Sequence, residues 1–283
     1  MVISSKSYLR QYGFFGLVGS SLAIYARFFL PLVTVVAIIE LPPFLLSDVL
    51  LTLFPNNSGV IALSVLLQVG AIWFGLLPVI AAISDICLGN EVSVARALHR
   101  VTARSVFQLF GTSFLSFFIP FLCCMALIIA GLFMIEASNS WVSMSGVGIA
   151  VIGFFLFPYL LVRYAFAEQI VILENKFWFQ ALRRSAQVVR KSWWRIAFFW
   201  FLYVLIVYSP VLLLRAGPAF IASWFQLEHP LVHLTLNFYE TLATVISTPL
   251  FATFGTLFYY SERIRKHDLT IQQLVEIKTF EAA

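Results

Sequence analysis

The sequence specifies an all-α, polytopic membrane protein: six transmembrane helices, with amphipathic helices lying along the cytoplasmic interface. Three observations carry this. Of 283 residues 61% are hydrophobic and only 11% charged, where soluble domains carry about 25% charged residues. A mean hydropathy of +0.95, with 30 Phe and 7 Trp, is more apolar surface than one core could hide from water. Basic residues, finally, concentrate in alternate connections between the apolar stretches. This composition excludes a disulfide-stapled secreted scaffold, an autonomous nucleic-acid module and a sizeable soluble catalytic domain. Residues 1–283 form one membrane domain, with 262–283 as a short cytoplasmic tail.

A helix needs about 20 apolar residues to cross the hydrocarbon core, and six stretches qualify: residues 22–46, 60–85, 107–135, 147–167, 196–214 and 235–260. Each holds at least one proline, namely Pro31, Pro78, Pro120, Pro158, Pro210 and Pro249, and the first holds Pro42 and Pro43 as well. In a bundle, neighbours can satisfy the carbonyl that a proline frees, so kinks are expected and not terminations. The apolar run after Lys6 and Arg10 lacks a small-residue cleavage site and is read as an uncleaved first helix. Cys87, Cys123 and Cys124 are read as small buried side chains, not as a disulfide framework.

Orientation follows from Lys and Arg. Sixteen of the 18 lie in the N-terminal segment up to Arg27, between the second and third spans, between the fourth and fifth, or after the sixth; Arg215 alone lies on the other side, and Arg163 sits inside the fourth span. That asymmetry places both termini in the cytoplasm. The +5 net charge then faces anionic inner-leaflet lipid, at about 1 kcal/mol per basic side chain near the surface.

The cytoplasmic connections have helical periodicity. Arg96, Arg100 and Arg104 recur every fourth residue, opposite Val94, Leu98 and Val101. Gln180, Arg183, Arg184, Gln187, Arg190 and Lys191 follow the same rule, with Trp178, Leu182, Ala186, Val189 and Trp193 on the other face. These two stripes are the predicted contacts with lipid headgroups or a partner protein. Thr270 and Gln273 are spaced as a capping box for a third, weaker case. Ala97-Leu98-His99-Arg100 and Ala181-Leu182-Arg183-Arg184 stand 84 residues apart, which suggests a parallel repeat of an amphipathic helix followed by a hairpin.

One region resembles a known family. Arg163, Glu168, Val171-Ile172-Leu173-Glu174, Ala181-Leu182-Arg183-Arg184-Ser185 and Trp193-Trp194-Arg195 resemble the middle of the glycerophosphodiester phosphodiesterase membrane-domain family. Thr248-Pro249-Leu250 and Leu257-Phe258-Tyr259-Tyr260-Ser261-Glu262-Arg263-Ile264-Arg265-Lys266 resemble its last span and exit, with Ser261 where the family favours Asp, and His267-Asp268 in place of a Glu-Gly step. The resemblance implies a multi-span protein of the bacterial cytoplasmic membrane. It does not carry hydrolase activity over, since the phosphodiesterase barrel of fused members is not expected here.

Candidate chemistry is sparse. His229, His233, Asn237 and Glu240, spaced 4, 4 and 3, share a helix face, and His with carboxylate can hold zinc. The competing reading is the wet face of a helix begun by Pro230, and neither metal nor cofactor is expected. Arg163 and Glu168 near the cytoplasmic end of the fourth span, with Asp85 at the equivalent end of the second, are read as a clasp between helices. Only Gln68 and small hydroxyls are expected at mid-membrane, which argues against an ion-coupled pump. No His-Glu-x-x-His run, nucleophile elbow or phosphate-cradling glycine loop occurs. The expectation is a non-enzymatic module that engages anionic lipid or a protein partner; the alternative is a small-molecule or lipid transporter.

Overall fold

The computed structural model describes residues 9–54, 56–90, 92–136, 140–225 and 230–266, without the side chains of 208, 214, 215, 219, 221–223, 230, 231, 233 and 234. Among the described residues the chain is eleven α-helices and one π-helical turn, with no strand. Five helices are long and apolar enough to cross a bilayer: Phe29–Leu53, Ser58–Leu88, Ala103–Ile135, Ser140–Glu174 and Thr235–Arg265. The pair Trp193–Val207 and Ser209–Pro218, bent by 43°, makes a sixth crossing if it is counted as one span. The architecture is that of a polytopic all-α membrane protein. Pro78, Pro120, Pro158 and Pro249 lie inside continuous helices, as expected. Pro210 sits at the bend: it donates nothing to the Ile206 carbonyl, and the slack is taken up in the π-turn Val204–Tyr208. The Ser209 hydroxyl donates to the Leu205 carbonyl in the same turn.

The helices gather into two compact units, where the sequence suggested one domain. The first takes Met1–Val106 and Phe199–Ala283. It holds α1 (Phe14–Arg27), α2 (Phe29–Leu53), α3 (Ser58–Leu88), α4 (Val94–His99), α10 (Ser209–Trp224) and α11 (Pro230–Arg265). In its most apolar window α11 is 72% buried, against 28% for α2 and α3, so α11 is the central helix. It packs on α1, α2, α3 and α10. An aromatic ladder fills the core, with Tyr203 stacked on Phe254 at 4.0 Å and Phe258 on Phe199 at 5.2 Å between centroids.

The first span differs from the expected one. The chain breaks at Phe28, leaving Arg27 in the last turn of α1, where the helix dipole favours a cation. The crossing helix then runs Phe29–Leu53, seven residues later than the hydropathy suggested at each end. The shift puts Glu40 near the middle of α2 and Asp48 one turn from its end, both buried. Mid-membrane is therefore not limited to Gln68 and hydroxyls. Tertiary packing makes this possible: a Cβ on Gly75 of α3 would lie 2.5 Å from Glu40 Oε1, so glycine at 75 leaves room for the carboxylate where it stands. One heptad along, Gln68 donates to Ser47 at 2.9 Å. Asp48 faces the Thr241 hydroxyl and the Glu240 carboxylate of α11.

The second unit is Phe107–Phe198. Its long helices are α5 (Ala103–Ile135) and α6 (Ser140–Arg163), followed by α7 (Ala167–Glu174), α8 (Phe179–Val189) and the first residues of α9 (Trp193–Tyr203), whose part from Phe199 on belongs to the first unit. Glycine sets the approach of α5 to α6: a Cβ on Gly131 would lie 2.6 Å from the Gly146 carbonyl oxygen, and one on Gly153 3.0 Å from Ile128 and Leu127. Cys124 is buried and Cys123 exposed on α5, so the expected burial of both cysteines holds for one; Cys87 in α3 is buried.

Candidate functional site

The predicted basic stripes take different forms. Arg96, Arg100 and Arg104 do not share a helix. α4 ends at His99, and Thr102 with Ser105 starts a new one: the Thr102 N–H donates to Ser105 Oγ at 2.9 Å and the Ser105 N–H to Thr102 Oγ1 at 3.2 Å. This reciprocal cap begins α5 and carries Arg104 with it. Arg100, at the end of α4, pairs with Asp85 at 3.2 Å.

The second stripe is one helix, α8. Ala181, Leu182, Ser185, Val188 and Val189 are buried, while Arg183, Gln187, Arg190 and Lys191 are exposed. Its entry is strained on purpose of packing: Trp178 stands at φ 56°, where a bulky side chain seldom sits. Three contacts on α5 hold it there. The Trp178 N–H donates to Thr112 Oγ1 at 2.9 Å, its ring meets Phe107 edge-on at 5.6 Å, and the glycine at 111 leaves space for the indole, since a Cβ there would lie 2.8 Å from it. Trp178 is thus docked on protein and is not a free bilayer anchor. Trp193 donates from Nε1 to the Tyr159 carbonyl at 3.1 Å and stacks on that ring at 5.4 Å.

Arg184 belongs to a different cluster. Its Nε reaches both oxygens of the buried Glu174 carboxylate at 3.1–3.2 Å, and Lys176 reaches the same carboxylate at 2.8 Å. Asn175, left-handed at φ 51°, turns the chain between α7 and this pair. The clasp expected of Arg163, Glu168 and Asp85 accordingly forms with other partners. Asp85 takes Arg100, Glu168 accepts from the Ser113 hydroxyl at 3.1 Å, and Glu174 takes Arg184. In both copies of the Ala-Leu-x-Arg motif the final Arg reaches back to a carboxylate on the preceding helix, while its Ala97 or Ala181 is buried. The third member of the suggested repeat lies in the tail, outside the described residues.

Arg163 is released from the clasp to another task. Its carbonyl accepts from Ser185 Oγ at 3.1 Å, and Ser185 Oγ in turn accepts from the Phe166 N–H at 3.3 Å, which ties the end of α6 to α8. Between these helices opens a cleft of about 870 Å³. Arg163, Arg183 and Arg190 line it with Gln187, Tyr159, Tyr164 and Trp193, and with the apolar Ile119, Phe179, Leu182, Ala186 and Val189. Among the described residues no carboxylate lines it. Unlike Arg100, Arg184 and Arg265, these three arginines make no ion pair among the described residues. Three permanent charges and a row of donors against an apolar wall suit an anion with a hydrophobic body.

Comparison of the chain with protein-family models, with curated proteins and with solved structures finds no match. The site is therefore read from its own geometry. Of the metal candidates, His229 and the His233 side chain lie outside the described residues, and Glu240 is close enough to Asp48 for the two charges to interact. Among the described residues no three of His, Cys, Asp and Glu gather around one point. Sequence reasoning missed Glu174 as the partner of Arg184, and Ser185 as the link to Arg163. Both lie within the stretch that carries the family resemblance.

Proposed function

We propose that this protein is a non-enzymatic, multi-pass protein of the bacterial cytoplasmic membrane, with both termini in the cytoplasm, that binds anionic lipid headgroups in the α6–α8 cleft. The observation that carries the reading is the convergence of Arg163, Arg183 and Arg190 without a counter-carboxylate. Arg163 ends α6, and positive-inside logic puts that end at the anionic leaflet. Charge-assisted bonds from guanidinium to phosphate contribute about 1.5–3 kcal/mol each, enough for selective retention of a lipid. The resemblance of residues 163–195 to the phosphodiesterase membrane-domain family supports the same surface, since Arg163, Leu182, Arg183 and Trp193 of that stretch line the cleft.

The test is lipid retention by the purified full-length protein, read by native mass spectrometry. The triple variant R163Q/R183Q/R190Q should lose copurified anionic lipid by at least about tenfold, and K191Q, outside the cleft, should keep it. Equal retention by the triple variant and the wild type would overturn the proposal. A transport reading stands second and rests on a different feature, the buried Glu40 and Asp48 of α2. It requires solute or lipid flux in proteoliposomes that falls in E40Q; absence of flux would dispose of it.

A further inference from the structure

We infer that the lipid held in the cleft bears a terminal phosphate group, a phosphomonoester or diphosphate, and not a phosphodiester headgroup. The inference rests on the lipid-binding reading above and adds the ligand class. Its first ground is charge. The lining carries three guanidinium groups and no carboxylate, beside Tyr159, Tyr164 and Trp193. A phosphodiester brings a single negative charge, leaving two cations to repel each other in a half-apolar space; a terminal phosphate brings about two.

The second ground is the direction of the donors. Arg183, Gln187 and Arg190 follow one another at i, i+4 and i+7 on α8, spanning about 10 Å along the axis. Arg163 comes from the end of a different helix. Donors from two elements suit a group with three free oxygens, whereas a diester spends two of its four on chains. The third ground is rigidity: the Ser185 bridge to Arg163 and the Trp193 bond to Tyr159 fix the walls before any ligand arrives. Ile119, Phe179, Leu182 and Val189 supply the apolar side that a free phosphate would leave uncovered.

The experiment measures binding of the full-length protein in neutral detergent micelles doped with phosphatidic acid, a prenyl diphosphate or phosphatidylglycerol at equal mole fraction. Both terminal-phosphate lipids should bind about tenfold more tightly than phosphatidylglycerol, and the preference should vanish in R163Q and in R183Q. Thermal unfolding of each variant checks that it is folded, and R183Q, altered at an exposed position of α8, preserves the test if R163Q fails to fold. A pH arm adds a second signature. A phosphomonoester loses its second charge below about pH 6, so acidification should weaken phosphatidic acid and leave phosphatidylglycerol unchanged. Phosphatidylglycerol binding as tightly as phosphatidic acid overturns this inference and leaves the lipid reading intact. Binding of no anionic lipid overturns both, and displacement by equimolar inorganic phosphate overturns the lipid part of the ligand.

Discussion

Gly131 and Gly75 are both crowded, and they differ in what crowds them. The carbonyl of Gly146 and the backbone of Ala150 stand against Gly131, so nothing there can rotate away. Gly131→Leu should force α5 from α6 and lower stability by about 1–3 kcal/mol, seen as a fall in the midpoint of thermal unfolding in detergent. At Gly75 the obstacle is the end of the Glu40 side chain, which can swing. Gly75→Ala alone should therefore cost less than Gly131→Leu, and pairing it with E40Q should not restore stability, because the methyl and not the charge takes the space. Asn175 is a third such position: at φ 51°, Asn175→Gly should be neutral or better while Asn175→Val destabilises by about 1–2 kcal/mol.

The arginines of α8 and its C-terminal cap are divided between two tasks, and the division follows from one carboxylate. Glu174 takes Arg184 and Lys176, while Arg183 and Arg190 are left to the cleft. Removing the charge in E174Q takes the carboxylate from a largely buried guanidinium, and should destabilise the protein by about 1–3 kcal/mol, read by thermal unfolding. R184Q should be milder in binding than R183Q or R190Q, since Arg184 does not line the cleft; equal losses of lipid for the three would contradict the division. The stripe itself was legible from the i, i+3, i+4 spacing. Its assignment was not, because the residue that selects among the arginines lies ten positions away on a different helix. The break that separates Arg104 from Arg100 did carry a local signal, the Thr102-x-x-Ser105 cap, whereas the apolar run from 14 to 53 offers little to mark a break at Phe28.

Across the full set of crossings, topology is the quantity most open to direct test. An even number of passes puts the α5–α6 connection and α8 on opposite faces. Single cysteines at 136 and 187, introduced with the exposed Cys123 replaced by Ser, should react with an impermeant thiol reagent from opposite compartments. Labelling of both from one side would refute the orientation. Hydropathy and charge asymmetry were enough for the all-helical membrane architecture and for the cationic segments, since the cost of bare amides and of charge in hydrocarbon acts on every window of sequence alike. Where α2 begins, how Glu40 comes to lie within it, and which arginines face an open cleft were settled by packing alone. A burial site for a carboxylate, or a counter-ion for a guanidinium, is made by side chains remote in sequence, and no local pattern encodes which of them will meet.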